Sequence, residues 1–446
     1  MISLHQINQG FLPKDENKLI KHLLDSGLMI SELVSTDSRS IKPGQVFVAL
    51  KGQNFDGHDH IKSAFDLSAS FVVASKSFEE LGLDEGFSAK VIFVEDTLKF
   101  LHRLAHAYRT LVNPLVIAVT GSAGKTTAKE LIKLGLEKFL RLHATSANFN
   151  NEIGVPLTIF SMPRDTQVLV LEMGMRGFGQ IHDLSKIAIP NICMITNIGT
   201  AHIELLGSQE NIKKAKMEII DFFADYQGSA VDKKIPKTLI VDKNLFEDLK
   251  ASGFKNPNSG APVAGEILFF DYSNPLPKSS LESILFSDGL KADMNAVMVL
   301  ADILKLDKSQ VLQALMSYNP GKGRGQFSYD KNGNVFIDES YNSNTVALKN
   351  SALALLEQFP VDEKIIVAGD INESDPVLID EVFREINTIA QDVSCKLKFL
   401  DVRNLSQEEI YNQVKSALDQ GPGRKVVLFK ASRAVALDKV IEKFFI

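Results

Sequence analysis

The stretch Thr120-Gly121-Ser122-Ala123-Gly124-Lys125-Thr126-Thr127 gathers glycines, a lysine and adjacent hydroxyls, the residue types needed to wrap a phosphate. Glycines let the backbone curl until successive N–H groups face phosphate oxygens, and a helix starting behind them adds partial positive charge. Lys125 would bridge the β- and γ-phosphates, and the Thr126 hydroxyl would reach magnesium. Val119 stands where the usual pattern has its first glycine, so the loop is a variant. The alternative is a flexible turn that happens to contain Gly-Lys-Thr. Farther on, Glu172 closes the apolar run 168–171, and His202 follows the run 192–195 and Thr196-Asn197. A carboxylate at a strand end can hold magnesium directly or through water, whereas a lone histidine is a weak signal for a metal that prefers oxygen. A strand-end surface acid and a loop histidine are the other readings. Within 209–223, Ile212, Ala215, Ile219, Ile220 and Phe223 recur at helical spacing, and Lys216 falls on their stripe. Such a lysine must snorkel outward, find a partner, lose its proton or be chemically changed.

These residues need a scaffold that brings strand ends together. Short apolar runs at 45–50, 71–74, 91–94, 115–119, 168–171, 192–195, 335–337, 365–368 and 425–429 alternate with helix-period segments, among them 128–140 behind the loop and 209–223. That alternation predicts parallel sheets of the α/β class. Ligands in such sheets gather at the carboxyl ends of strands, which is where Glu172 and the residues after 195 lie. Boundaries are expected near 108–114, where a helical stretch ends, and near 318–326, where Asn319, Pro320, Gly321, Gly323 and Gly325 cluster. Three domains result: a small N-terminal α/β domain at 1–108, a central P-loop domain with a mainly parallel sheet at 109–318, and an α/β domain at 319–446. The polar segment 225–277 yields no clear strands.

A chain of 446 residues exceeds what one hydrophobic core usually supports, in keeping with several domains. Lys and Arg number 49 against 55 Asp and Glu, a net charge of -6, which supplies no general attraction to nucleic acid or anionic lipid. Any phosphate must therefore be held locally. Cys193 and Cys395 lack the spacing of a zinc or redox motif and read as reduced core thiols. With neither a signal-like N-terminus nor a long apolar run, a cytoplasmic protein without membrane insertion is expected.

Read together, the motifs resemble the Mur ligases. The loop 120–127 is similar to that family's P-loop, which also lacks the first glycine. Asn148-Phe149-Asn150-Asn151-Glu152-Ile153-Gly154-Val155-Pro156, then Glu172-Met173-Gly174 with Gly179-Gln180-Ile181, resemble signatures of the branch that adds D-alanyl-D-alanine. So do Ala201-His202-Ile203-Glu204 and Ala215-Lys216-Met217-Glu218-Ile219. At the front, Thr36-Asp37-Ser38-Arg39 and Asp56-Gly57-His58-Asp59 look like the family's uridine-diphosphate-sugar domain. Near the back, Asp338-Glu339-Ser340-Tyr341-Asn342 resembles a segment that reaches the nucleotide, and Lys430-Ala431-Ser432-Arg433 a C-terminal motif in which glycine is usual at the second place. Of a His-Asn-x-x-Asn motif only Asn295 remains.

The resemblance implies an ATP- and magnesium-dependent ligase acting on UDP-N-acetylmuramoyl-tripeptide and D-alanyl-D-alanine through an acyl phosphate, with a Rossmann-like third domain. It implies catalytic roles for Lys125, Glu172, His202 and Lys216, and metal ligation by Thr126, Glu172, His202 and Lys216 carried as a carbamate. The nucleotide would meet Gly121, Ser122, Ala123, Gly124, Lys125, Thr126, Thr127, Asn295, Asp338, Tyr341 and Asn342. The substrates would meet Thr36, Ser38, Arg39, Asp56, His58, Asn150, Asn151, Lys430, Ser432 and Arg433. A monomer is expected. Another amino-acid-adding Mur ligase or a folylpolyglutamate synthetase is the alternative within the class, and a P-loop switch or transport ATPase the alternative outside it.

Overall fold

The computed structural model describes residues 15–52, 54–201, 203–223, 237–260, 262–263, 265–270, 287–341, 343–371 and 375–445. His202 and Asn342 lie outside them. Among the described residues the strands form three sheets. The first has the order β1-β2-β3-β4, with β1 Val34–Ser35, β2 Val46–Val48, β3 Phe71–Ala74 and β4 Val91–Phe93, all parallel. The second has the order β10-β9-β8-β5-β7-β6, with β5 Leu115–Thr120, β6 Leu142–Ala144, β7 Val168–Glu172, β8 Ile192–Ile195, β9 Thr238–Asp242 and β10 Glu266–Phe270. The third has the order β11-β12-β15-β13-β14, with β11 Gln326–Tyr329 antiparallel and β12 Val335–Glu339, β13 Glu363–Ala368, β14 Leu397–Asp401 and β15 Lys425–Lys430 parallel.

The alternating residues of the third sheet explain its two covered faces. Val335, Ile337, Val426 and Leu428 join one buried cluster, while Phe336, Val427 and Phe429 join another on the opposite face. A period of two places neighbours on opposite sides, so both faces being apolar requires helices on both. β5 is apolar from Leu115 to Val119, ends in Thr120 and is buried throughout, as a central strand must be.

The chain divides into two compact units: Met1–Val119 with Glu137–Cys193 and Glu218–Thr238, and Thr120–Leu136 with Met194–Met217 and Leu239–Ile446. In the first, helix α1, Thr97–Val112, runs straight across residue 108. Tyr108 is wholly buried and donates its hydroxyl to the Met162 carbonyl at 2.7 Å. In the second, helix α2, Lys125–Leu136, begins three residues earlier than its periodicity suggested, because Gly124 at φ +80° turns the chain directly into the helix. Helix α3, Gln180–Ala188, follows β7, and helix α4 covers Gln209–Met217. The stripe read as one helix to residue 223 therefore ends at 217 and continues as a 3-10 turn, Glu218–Ile220. Helix α5, Asp288–Ile303, packs on α2, where a Cβ at Gly135 would come within 2.9 Å of Val297. Strands β9 and β10 lie in the segment whose sequence pattern was unreadable. Cys193 is a buried core thiol, and Cys395 is only half-buried.

Candidate active site

The phosphate-type loop is held from the end of β8. Thr196 donates its hydroxyl to the Ala123 carbonyl at 2.5 Å, and its N–H bonds the Thr120 carbonyl at 2.9 Å. Asn197 takes the Ser122 N–H on its carbonyl and the Ala123 N–H on Oδ1, each at 3.1 Å, while Ser122 Oγ accepts the Gly199 N–H at 2.9 Å. Two loop N–H groups expected to face phosphate are thus committed to Asn197. The first turn of α2 presents N–H groups that helix geometry directs outward along the axis, an arrangement suited to an anion. Lys125, Thr126 and Thr127 lie in that turn, and Lys125 Nζ donates to the Gly121 carbonyl at 2.7 Å. Gly121 adopts φ +155°, and a Cβ there would stand 1.9 Å from Thr196 Oγ1. Since Thr196 is itself fixed, Gly121→Ala is expected to displace the loop and lower stability by roughly 1–3 kcal/mol through strain, measurable by denaturant unfolding.

Behind Gly124 sits a group that sequence reading passed over. Asp293, on α5, is buried, and its Oδ2 would be 3.1 Å from a Cβ at position 124. Burial pushes its carboxyl well above the usual range. Tyr318, hydrogen-bonded to Thr127, is pushed up to about 12, chiefly by burial. The pattern from Lys291 to Asn295 was the available signal. Asn295 itself is buried on the same helix.

Lys216 is 2% exposed on α4, and among the described residues none forms a hydrogen bond or ion pair with it. Snorkelling is thereby excluded. Burial, and then the charge of Lys125, hold its amine well below the ordinary lysine range. The two lysines are electrostatic neighbours although 91 positions separate them in the chain.

Glu172 ends β7 in register with Val119, one residue ahead of the loop. It is 2% exposed, not a surface acid, and its Oε1 accepts from Asn150 Nδ2 at 2.8 Å. Asn150 also offers its carbonyl to the Gly174 N–H, joining two of the sequence signatures. Asn151 is exposed and accepts the Gly154 N–H at 2.9 Å, which fixes the start of helix Gly154–Phe160.

In the third sheet Glu339 and Lys430 are register partners on β12 and β15, and Lys430 Nζ donates to Glu339 Oε2 at 2.7 Å. Ser351 donates to the same oxygen at 2.5 Å. Lys430 is buried, and its pairing with Glu339 ties the ends of β12 and β15 together. Asp338 is buried and accepts from Ser340 N–H and hydroxyl. The Tyr341 ring has the Arg324 guanidinium 4.1 Å and the Arg433 guanidinium 5.2 Å from its centroid. Arg324, in the glycine-rich linker, went unread because a linker's side chains carry no periodic signal. Ser432 is buried, and its N–H bonds the Asp370 carbonyl at 2.8 Å.

At the front, Thr36 and Ser38 are half-buried and Arg39 is exposed. Arg39 forks onto Asp37 at 2.9 and 2.8 Å and holds that carboxyl down to about 2. His58 is buried, with Nδ1 on Asp56 at 2.6 Å and Nε2 accepting the Ser75 N–H at 3.0 Å. Both ring nitrogens are spent inside the fold, so His58 shapes its loop and has no ring atom left for a ligand. Burial opposes ionisation of Asp56, yet hydrogen bonds from Lys76 and His58 keep it well below the carboxylate range.

The chain is 32% identical to the UDP-N-acetylmuramoyl-tripeptide--D-alanyl-D-alanine ligase of Synechocystis sp., over 92% of this chain and 91% of the relative. It belongs to the Mur ligase family. Residues 119–256 match the Mur ligase middle domain, and residues 31–109 match the domain described as Mur ligase family, catalytic domain. The ligase of the same name from Bacillus subtilis is 30% identical, with 92% of each chain covered. Among solved structures, the MurF ligase of Thermotoga maritima in complex with ADP superposes with a TM-score of 0.77 and 26% identity, covering 93% of this Mur ligase and 97% of that chain. Among the described residues no helix is long and apolar enough to cross a membrane, and no group of three or more His, Cys, Asp and Glu could hold a metal ion.

Proposed function

We propose that this Mur ligase joins D-alanyl-D-alanine to UDP-N-acetylmuramoyl-tripeptide at the expense of ATP, in the cytoplasm, as a step of peptidoglycan precursor synthesis. The observation that carries the reading is the placing of a second, buried lysine within electrostatic reach of the P-loop lysine, in a chain similar over nine-tenths of its length to relatives named as that ligase. In this reading the first domain, 1–108, takes the nucleotide sugar, the second, 109–318, takes ATP, and the third, 319–446, completes the site.

The tripeptide carboxylate attacks the γ-phosphorus of ATP, the bond to the β-phosphate oxygen breaks, and ADP leaves. The amine of the dipeptide then adds to the acyl phosphate carbonyl, loses a proton and expels phosphate. Both partners of the first step are anionic, so positive charge must meet them. Lys125 trades its bond to the Gly121 carbonyl for phosphate oxygens, and the first turn of α2 adds its N–H groups. By donor chemistry, the residues that would hold magnesium are the Thr126 hydroxyl, the Glu172 carboxylate, whose Oε1 accepts from Asn150, His202, and Lys216 once its amine has added to carbon dioxide and lost a proton to become a carbamate. Magnesium, when bound, neutralises charge on the transferring phosphoryl group. Carbamylation also converts the repulsion between Lys216 and Lys125 into attraction.

Release of ADP, assayed with tripeptide precursors ending in diaminopimelate or lysine, is expected only when both the precursor and D-alanyl-D-alanine are present. Release without the dipeptide, or with a single amino acid in its place, would sink the assignment. Arg39 is the front residue we place on the nucleotide sugar. Arg39→Ala should raise the KM for that substrate roughly tenfold, the scale of one lost charged hydrogen bond, and leave the KM for ATP unchanged. His58→Ala should instead lower stability by about 1–3 kcal/mol, seen in denaturant unfolding, through the stranded Ser75 N–H.

A further inference from the structure

Two sequence signatures that the reaction leaves without a role, Gly179-Gln180-Ile181 and the Glu218 that follows Lys216-Met217, are joined in the fold. Glu218 is buried and accepts the Gly179 N–H on Oε1 at 2.9 Å and the His182 N–H on Oε2 at 3.1 Å. Gly179 is the N-cap of α3 and has no side chain with which to satisfy the first-turn donors. Glu218 satisfies one of them, the His182 N–H, together with the N–H of Gly179 itself, from a distant segment, adding a charge that the helix dipole favours. The next residues are tied to the same place. The Ile219 carbonyl accepts from Ser185 Oγ at 3.3 Å and Cys193 Sγ at 3.2 Å, and Asp221 Oδ2 bonds His182 Nδ1 at 2.7 Å.

A helix start is ordinarily served by a Ser, Thr, Asp or Asn at the N-cap itself, which needs no buried carboxylate from elsewhere. What the remote carboxylate adds is an anchor two residues from Lys216. It also accounts for the end of α4 at Met217, where the helical stripe of the sequence would have run on. We propose that Glu218, by capping α3 across the sequence, is the positioning residue that fixes the end of α4 and with it the Nζ of Lys216. This rests on Lys216 acting as a carbamate.

The test is the full-length enzyme equilibrated with 13C-bicarbonate, with the carbamate resonance and the bicarbonate dependence of kcat measured for the parent, Lys216→Ala, Glu218→Asp and Glu218→Gln. In Glu218→Gln, kcat at ambient carbon dioxide should fall about tenfold or more, the usual effect of removing a group that orients a metal ligand. The bicarbonate needed for half-maximal rate should rise by a similar factor, while the KM for the nucleotide sugar stays within about twofold. Glu218→Asp, which keeps the carboxylate, should recover part of the loss. A capping role alone would lower the unfolding temperature and leave the bicarbonate dependence of the folded enzyme as in the parent. That result, with a clear carbamate signal in the parent, would overturn the positioning role and leave the carbamate standing. Absence of the signal from the parent would overturn both.

Discussion

Lys125→Ala is expected to slow ADP formation about a hundredfold or more, because a positive charge facing the transferring phosphoryl group contributes several kcal/mol to lowering the barrier. Fold stability should not suffer. In the structure the ammonium donates to the Gly121 carbonyl in a half-exposed loop, and it acts electrostatically against Lys216. Removing it relieves that repulsion, so the Lys216 amine should become more basic in the variant. Rapid-mix measurement of ADP release, with unfolding followed in parallel, separates the two effects. Turnover within a few-fold of the parent would show that the loop does not hold the reacting phosphate.

The second large effect is expected from Lys216→Ala. The wild-type side chain is buried with its amine held well below the ordinary lysine value of 10.5, first by burial and then by Lys125. A lowered value enlarges the neutral fraction of the amine, and only a neutral amine adds carbon dioxide. The variant should lose most activity, and short carboxylic acids should restore part of it by supplying the missing oxygen ligands. Stability offers an independent readout. Between the lowered folded value and 10.5 the unfolded chain binds a proton that the folded one does not, so unmodified enzyme loses stability as pH falls through that interval. Carbamylation removes the amine from this equilibrium. Bicarbonate should therefore raise the unfolding temperature of the parent near neutral pH and leave that of Lys216→Ala unchanged. Equal shifts in both, together with an alanine variant of normal activity, would return Lys216 to the status of a merely buried lysine.

The chemistry carried by contiguous residues was legible before any fold was known. The loop 120–127 with a strand before it and a helix behind it is a local pattern, and so is the 3.6-residue stripe that put Lys216 inward. Backbone periodicity reports which face of an element is buried, so β2, β3 and β4 of the first sheet and β12, β13 and β15 of the third could also be read, whereas the burial of Glu172 at a strand end could not. Partners were another matter. That Asn197 takes the Ser122 and Ala123 N–H groups, that Asp293 lies behind Gly124, and that Glu218 caps α3 all depend on segments tens to hundreds of residues apart meeting in space. No spacing in the chain encodes such meetings, because they follow from how whole elements pack. The same holds for His58 and Lys430, which carry residue types suited to ligands: only the fold shows that Asp56 and Ser75 meet both ring nitrogens of His58 and that Glu339 takes one of the N–H donors of Lys430. Residue type sets what a side chain can do, and the neighbours that packing supplies decide which of those things it is free to do.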